Sequence, residues 1–281
     1  MFVLFYILGA VLLLILIYLW LMCPSLKKRD TSFLCQKPIA HRGIHDSDSV
    51  AENSLGAFAL AVNAGLPIEL DVRLTKDLIP VVMHDSNTGR VCTENVSIYD
   101  VTSDELKKLS FKKSGEHVPT LAEVLSLVNG KVALLIELKD AGKNLLVAEK
   151  TAELLRTYNG KFAIESFNPC LLRAYRKYDK KAPVGFLAGY ATLRDGLSPF
   201  IASRCLVNFM FRGDFIAYGY TKFLPFSIRL AKVLGSTLAV WTIRSRDTYL
   251  DCTGRFDSII AERISEITKE QLEGGNYNYD N

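Results

Sequence analysis

Charge of one sign is in short supply in this chain. Its 34 Lys and Arg residues nearly cancel 30 Asp and Glu, leaving +4. Beyond a cluster at residues 27–29, no Lys/Arg-rich tract is interleaved with stacking aromatics. Nucleic-acid binding therefore has no basis in the sequence. No two of the six cysteines (Cys23, Cys35, Cys92, Cys170, Cys205, Cys252) have CxxC spacing. An even count permits disulfides, but scattered thiols read better as small hydrophobes in a reduced compartment. Repeats and low-complexity segments are missing. Histidine is scarce, with four in 281 residues, so its clustering carries weight.

No charge interrupts Phe2 to Met22, "FVLFYILGAVLLLILIYLWLM". A helix of about 20 apolar residues spans a bilayer. Tyr18 and Trp20 near its end suit an interfacial aromatic belt. A cleaved signal peptide needs a basic start and small residues before the cut. Here nothing basic precedes the run, and Trp20, Leu21 and Met22 precede Cys23. The same bulky residues argue against lipoprotein-type cleavage. The expectation is a retained single-pass anchor over residues 1–23, in the membrane through residues 2–22. Lys27, Lys28 and Arg29 follow it, so the positive-inside rule places the remainder in the cytoplasm.

Residues 24–37 read as a tether, 38–270 as one catalytic domain and 271–281 as a tail. From Pro38, short apolar runs alternate with helical stretches. The strand candidates are "PIAH", "PIELDV", "IPVVMHD", "VALLIEL", "KFAIES", "PVGFLA", "DFIAY", "TLAVWTI" and "FDSIIA". Several are apolar on both faces, as in a buried parallel sheet. Helices are expected at Ser54 to Ala64, with N-cap chemistry in Glu52-Asn53-Ser54 and a stop at Gly65, and at Asn144 to Tyr158. This alternation predicts an α/β protein, a (β/α)8 TIM barrel behind one N-terminal transmembrane helix. Too few residues separate "IELDV" from "PVVMHD" for a helical crossover. A hairpin around Lys76-Asp77 fits instead, making the barrel irregular and one of nine candidates an excursion.

Barrel enzymes gather reactive groups at the C-terminal ends of strands. His41, the pair Glu69 and Asp71, the pair His84 and Asp85, and the pair Glu137 and Lys139 all fall at such ends. Glu69 and Asp71 are two apart on a strand and share a face. With Glu137 they make three carboxylates that repel unless a cation lies between them, and hard oxygens suit Mg²⁺ or Ca²⁺. Ordinary salt bridges are the bland alternative, but carboxylates inside an apolar strand are costly without a partner. His41 and His84 suit a general acid and a general base. Arg42 offers a phosphate fork, or else a salt bridge to Glu52, and Lys139 a second positive charge. His45 and His117 have weaker cases and read as loop residues.

The ordered set "AHRG", "ENSLGAFALAVNAGLPIELDVRLTKDLIPVVMHD", "IELK", "ESFNP", "FIAYGY", "AVWTI" and "FDSIIAER" resembles the glycerophosphodiester phosphodiesterase family, from about Pro38 to Arg263. The resemblance implies a TIM barrel, with His41 and His84 as catalytic histidines. It implies Glu69, Asp71 and Glu137 as ligands of one divalent cation. Arg42 and Lys139 match groups near the phosphate, and Trp241 a wall of the pocket. The chain departs from the family pattern at Leu78, where Gly is usual, and at Ser54, where Thr is usual. It also departs at Glu262, usually Asp, and at "WTIRSR", which puts Arg244 near the rim.

The implied activity is metal-dependent hydrolysis of a phosphodiester to sn-glycerol 3-phosphate and an alcohol. The substrate is a water-soluble glycerophosphodiester or, alternatively, a membrane lysophospholipid whose acyl chain Trp241, Phe209 and Phe211 would line. A tethered, non-catalytic phosphodiester-binding barrel is the reading from another class, and the intact His and carboxylate set argues against it.

Overall fold

The computed structural model describes residues 2–139 and 145–264. The helix start expected at Asn144, the end of the expected 38–270 domain and the tail 271–281 lie outside the described residues. Helix α1 is Phe2–Met22. Strand β1 (Ile39–His41), helix α2 (Leu55–Asn63), strand β2 (Ile68–Leu74) and strand β3 (Pro80–Val82) follow. Helices α3 (Ser103–Leu106) and α4 (Leu121–Val128) lead to β4 (Leu134–Leu138), α5 (Leu146–Leu155), β5 (Phe162–Ser166) and α6 (Pro169–Tyr178). The chain continues with β6 (Val184–Ala188), α7 (Leu197–Ser203), β7 (Phe215–Gly219) and α8 (Phe226–Val233). It ends in β8 (Thr237–Ile243), α9 (Arg246–Cys252) and β9 (Ser258–Ala261). Every strand except β3 lies parallel to its neighbours, and pairing of β1 with both β2 and β9 closes an eight-stranded barrel.

The extra strand is the expected excursion. β3 runs antiparallel to β2, with Val72 opposite Val82 and Leu74 opposite Pro80. The hairpin rises above the barrel rim and returns, so Met83 N–H donates to the Asp71 carbonyl at 2.9 Å. His84 and Asp85 therefore lie just past β3 rather than at the end of a barrel strand. Leu78 holds the turn in the left-handed region, φ +62°. The segment after His84 carries its own small core, including Cys92, Ile98, Phe111 and Val118.

Strand alternation divides the interior into two levels. Toward the N-terminal end, Ile39, Leu135, Ala163, Phe215, Ala239 and Ile260 form an apolar plug. Nearer the C-terminal end the same inward phase carries His41, Glu69, Asp71, Glu137 and Glu165. The outward faces pack under the helices in the main core. Local chemistry marks the helix ends as expected: Ser54 Oγ accepts the Ala57 N–H at 3.1 Å, and Gly65 turns left-handed at φ +63°.

Residues 24–37, read as a tether, instead close the N-terminal end of the barrel. Phe33 and Leu34 are buried within the plug, where burial of such a side chain contributes about 1.5–3 kcal/mol. Arg29 pairs with Asp214 at 3.0 Å, and Ser258 Oγ donates to the Leu34 carbonyl at 2.6 Å. Those partners lie near the other end of the sequence, so nothing local announces them.

Candidate active site

The site begins at the strained "HRG" turn after β1. Arg42 and Gly43 are both left-handed, at φ +56° and +82°. A Cβ on Gly43 would lie 2.9 Å from Ala57, so only glycine lets this turn meet α2. The turn aims the Arg42 N–H at Glu69 Oε2, 3.0 Å away. Its guanidinium reaches Glu52 at 2.8 Å and Asp71 at 3.2 Å. The expected phosphate fork is thus engaged by carboxylates.

Glu69, Asp71 and Glu137 converge as expected. One oxygen from each lies within 4.8 Å of the others, and all three side chains are buried. Lys139 Nζ bridges Asp71 at 2.9 Å and Glu137 at 2.7 Å. Burial, with the neighbouring anions, lifts Glu69 well above the usual carboxylate range and pushes Glu137 up to about 8. Burial would raise Asp71 too, but Lys139 and Arg42 overcome it and hold that carboxyl well below the usual range. With all three ionised, the two cations leave one negative charge in excess. A hard divalent cation would offset that excess, and the donor set, three carboxylate oxygens, suits Mg²⁺ or Ca²⁺.

The two histidines are built alike. His41 Nδ1 lies 3.0 Å from Glu262 Oε1, and Arg244 donates to both oxygens of that carboxylate at 2.8 and 3.1 Å. His84 Nδ1 lies 2.7 Å from Asp85, which Arg90 grips at 2.5 Å. A carboxylate on Nδ1 fixes the tautomer and leaves Nε2 for proton transfer. His41 Nε2 lies 3.9 Å from Glu69. Arg73 donates twice to the His84 carbonyl, at 2.9 and 2.6 Å, and anchors the hairpin's return. A depression of about 580 Å³ opens beside His84, and another of about 390 Å³ beside Glu137 and Lys139.

Trp241 is half-buried on β8. Its Nε1 donates to the Ala217 carbonyl at 3.0 Å, and its ring meets Phe167 edge-on at 5.4 Å. Phe209 and Phe211 are elsewhere: the first stacks on Trp20 of α1 and the second packs on Phe186. His117 pairs with Glu123 at 3.2 Å, and His45 is half-buried beside Glu52 and Glu262.

Three residues went unassigned in the sequence. Asn53, grouped with cap chemistry, donates instead to Asp71 Oδ2 at 2.7 Å, while Ser54 alone caps α2. Glu165 is opposite Glu137 in register and fully buried; its Oε2 has no hydrogen-bond partner among the described residues. Burial raises its carboxyl well above the usual range. The available signal was a Glu two positions from Ala163 in an otherwise apolar strand. Glu262 was noted only as a departure from a pattern, and its role awaited barrel closure.

Eight parallel strands, with two carboxylate-oriented histidines above a buried acidic group, define a (β/α)8 barrel with a potential cation site at its C-terminal rim. Residues 41–266 match the model of the glycerophosphoryl diester phosphodiesterase family, and the chain belongs to that family. It is 39% identical over 161 residues to a glycerophosphodiester phosphodiesterase of Caldanaerobacter subterraneus subsp. tengcongensis, covering 53% of this chain and 65% of that protein. The chain spans about half to two thirds of the length of the curated relatives it matches. A crystal structure of a glycerophosphodiester phosphodiesterase from Parabacteroides distasonis superposes with a TM-score of 0.70 at 25% identity, covering 85% of this chain and 98% of that one. An Oleispira antarctica phosphodiesterase, solved with the product sn-glycerol-3-phosphate, shares the fold at 22% identity and a TM-score of 0.72, covering 86% and 98%. The N-terminal helix is long and apolar enough to be a membrane anchor or a signal peptide.

Proposed function

We propose that this protein hydrolyses glycerophosphodiesters to sn-glycerol 3-phosphate and an alcohol. The observation that carries the reading is the pair of histidines, each tied at Nδ1 to a carboxylate, beside Glu69, Asp71 and Glu137. Those three carboxylates would hold one Mg²⁺ or Ca²⁺, which when bound neutralises phosphate charge and acidifies a nucleophilic hydroxyl. One histidine Nε2 takes the proton of the attacking hydroxyl, from water or from the glycerol 2-position; in the second case a cyclic phosphate forms first and water then opens it to the monoester. The other gives a proton to the leaving alkoxide. Lys139 and Arg42 keep positive charge at the carboxylates and against the phosphate, and Trp241 walls the substrate site. Glu262 and Asp85 hold the rings in register.

The test is product analysis of the full chain on glycerophosphocholine, glycerophosphoethanolamine, glycerophosphoglycerol and lysophospholipids, with each metal. His41→Ala and His84→Ala should each lower kcat by about 10² or more with the fold retained. Near-normal turnover in either folded variant would remove that residue. A lysophospholipase D reading is favoured by one observation, the exposed Leu193, Leu197, Phe223 and Phe226 on the segments that follow β6 and β7. Strong preference for lysophospholipid both in vesicles and in detergent would select it.

The same proposal keeps α1 as a single-pass anchor, with residues 2–17 rather than the expected 2–22 left for the bilayer because Tyr18 and Met22 pack on the barrel. It also keeps the barrel in the cytoplasm, on the strength of Lys27, Lys28 and Arg29. Protease added to intact cells should leave the barrel uncut; cleavage without lysis would reverse the orientation.

A further inference from the structure

α1 is clamped to the barrel rather than hung from it. Residues 2–17 are exposed, whereas Met22 is buried in the outer core. The last carbonyls of the helix are capped by the barrel itself. Asn208 Nδ2 donates to Met22 and Cys23 at 2.9 and 3.1 Å, and Arg212 Nη1 to Trp20 and Cys23 at 2.7 and 2.9 Å. The Arg212 guanidinium also lies 5.3 Å from the centre of the Trp20 ring. With its orphan carbonyls satisfied this way, α1 leaves the barrel in a fixed direction. Whatever surrounds α1 must also meet the barrel surface at its exit.

That surface is unusual for a soluble barrel. Tyr18 packs against the core between Arg204 and Ser227. Arg204 in turn lies over Phe200 at 4.8 Å and Tyr190 at 5.5 Å. Flanking this exit, the segment after β6 exposes Leu193 and Leu197 by 64% and 66%, and the segment after β7 exposes Phe223 and Phe226 by 80% and 64%. Large apolar side chains grouped this way mark an interaction surface. Lys222 and Arg229 border a groove of about 570 Å³ beside Phe223, and neither has an ion-pair partner among the described residues. Apolar side chains interleaved with unpaired cations match the headgroup layer of an anionic bilayer.

We infer that this surface, on the segments after β6 and β7, beds into the anionic bilayer that α1 crosses. Both segments follow C-terminal strand ends, the end that carries His41 and Glu69. The contact therefore turns the catalytic rim toward the membrane surface. The inference rests on retention of α1.

The full chain is placed in nanodiscs of phosphatidylcholine alone and with phosphatidylglycerol, and amide hydrogen exchange is followed. Residues 190–200 and 220–230 should exchange roughly tenfold more slowly in the anionic discs, with no change at the N-terminal end of the barrel. Lys222→Gln with Arg229→Gln should erase the lipid dependence, and Phe223→Asp with Phe226→Asp the protection itself. Equal exchange in both discs would overturn the inference. So would protection that tracks protein concentration, which marks a second copy of the chain. The intact mass of the membrane-extracted chain reports separately on α1: its loss removes the anchor, and its retention with unchanged exchange removes the contact surface.

Discussion

Glu262, one residue beyond β9, holds His41 Nδ1 at 3.0 Å across 221 positions of sequence. Strand closure makes the pair, since β1 and β9 are neighbours with Ala40 opposite Ala261. Burial opposes charge on Glu262, but His41 and Arg244 hold its carboxyl far below the usual range. The carboxylate form is thus favoured, and it is a fixed acceptor for the ring.

Replacing that acceptor should cost turnover, not binding. Glu262→Gln is expected to lower kcat by about 10- to 100-fold, the usual effect of losing a histidine's orienting partner, with KM nearly unchanged. Arg244→Ala, which loosens Glu262 only, should cost less. Steady-state kinetics of both variants decide it; a Glu262→Gln enzyme with normal kcat would make the pair merely structural.

The other histidine gives a pH prediction. Burial lowers His84 from its ordinary range; Asp71 pulls it up, Lys139 and Arg42 push it down, and the Asp85 hydrogen bond favours the charged ring. Asp85→Asn removes that support and one of the two carboxylates paired with Arg90, Glu52 keeping the other, so both changes lower His84 further. The limb of the kcat/KM profile governed by His84 should move to lower pH, whichever side of the bell it forms. A limb that stays or rises would rule out Asp85 as its partner.

Metal dependence separates the four buried carboxylates. Chelator should abolish activity, and Mg²⁺ or Ca²⁺ restore it. Glu69→Gln should raise the metal concentration for half-maximal rate about tenfold or more, because an amide is a poorer ligand. Glu165→Gln should leave that concentration nearly unchanged, since Glu165 is not among the three converging carboxylates and Gln keeps its shape. Metal titrations of the three proteins test this; full activity in excess chelator with no bound metal would dismiss the site.

The hairpin turn stores a small cost. Leu78 takes a left-handed conformation at φ +62° while 36% exposed, so its side chain repays little by burial. Leu78→Gly should raise stability by up to about 1 kcal/mol and leave turnover alone, as measured by urea unfolding and steady-state rates. A destabilised variant would mean that Leu78 packing outweighs the backbone strain.

By itself the sequence determined the strands and the phase of their side chains. "TLAVWTI" is β8 in full, and the tight spacing of "IELDV" and "PVVMHD" specified an antiparallel return. These are local properties: alternation is set by backbone geometry, and too short a link forbids a crossover. The inward phase of Glu69, Asp71 and Glu137 followed from the same rule. Only the tertiary structure decided the partners. Asn53 on Asp71, Glu165 opposite Glu137, Glu262 on His41 and residues 24–37 against the barrel's N-terminal end all depend on which strands become neighbours when the barrel closes. Side chains far apart in sequence meet there because a closed sheet leaves each inward group one cavity to share, and no local pattern records which others will face it.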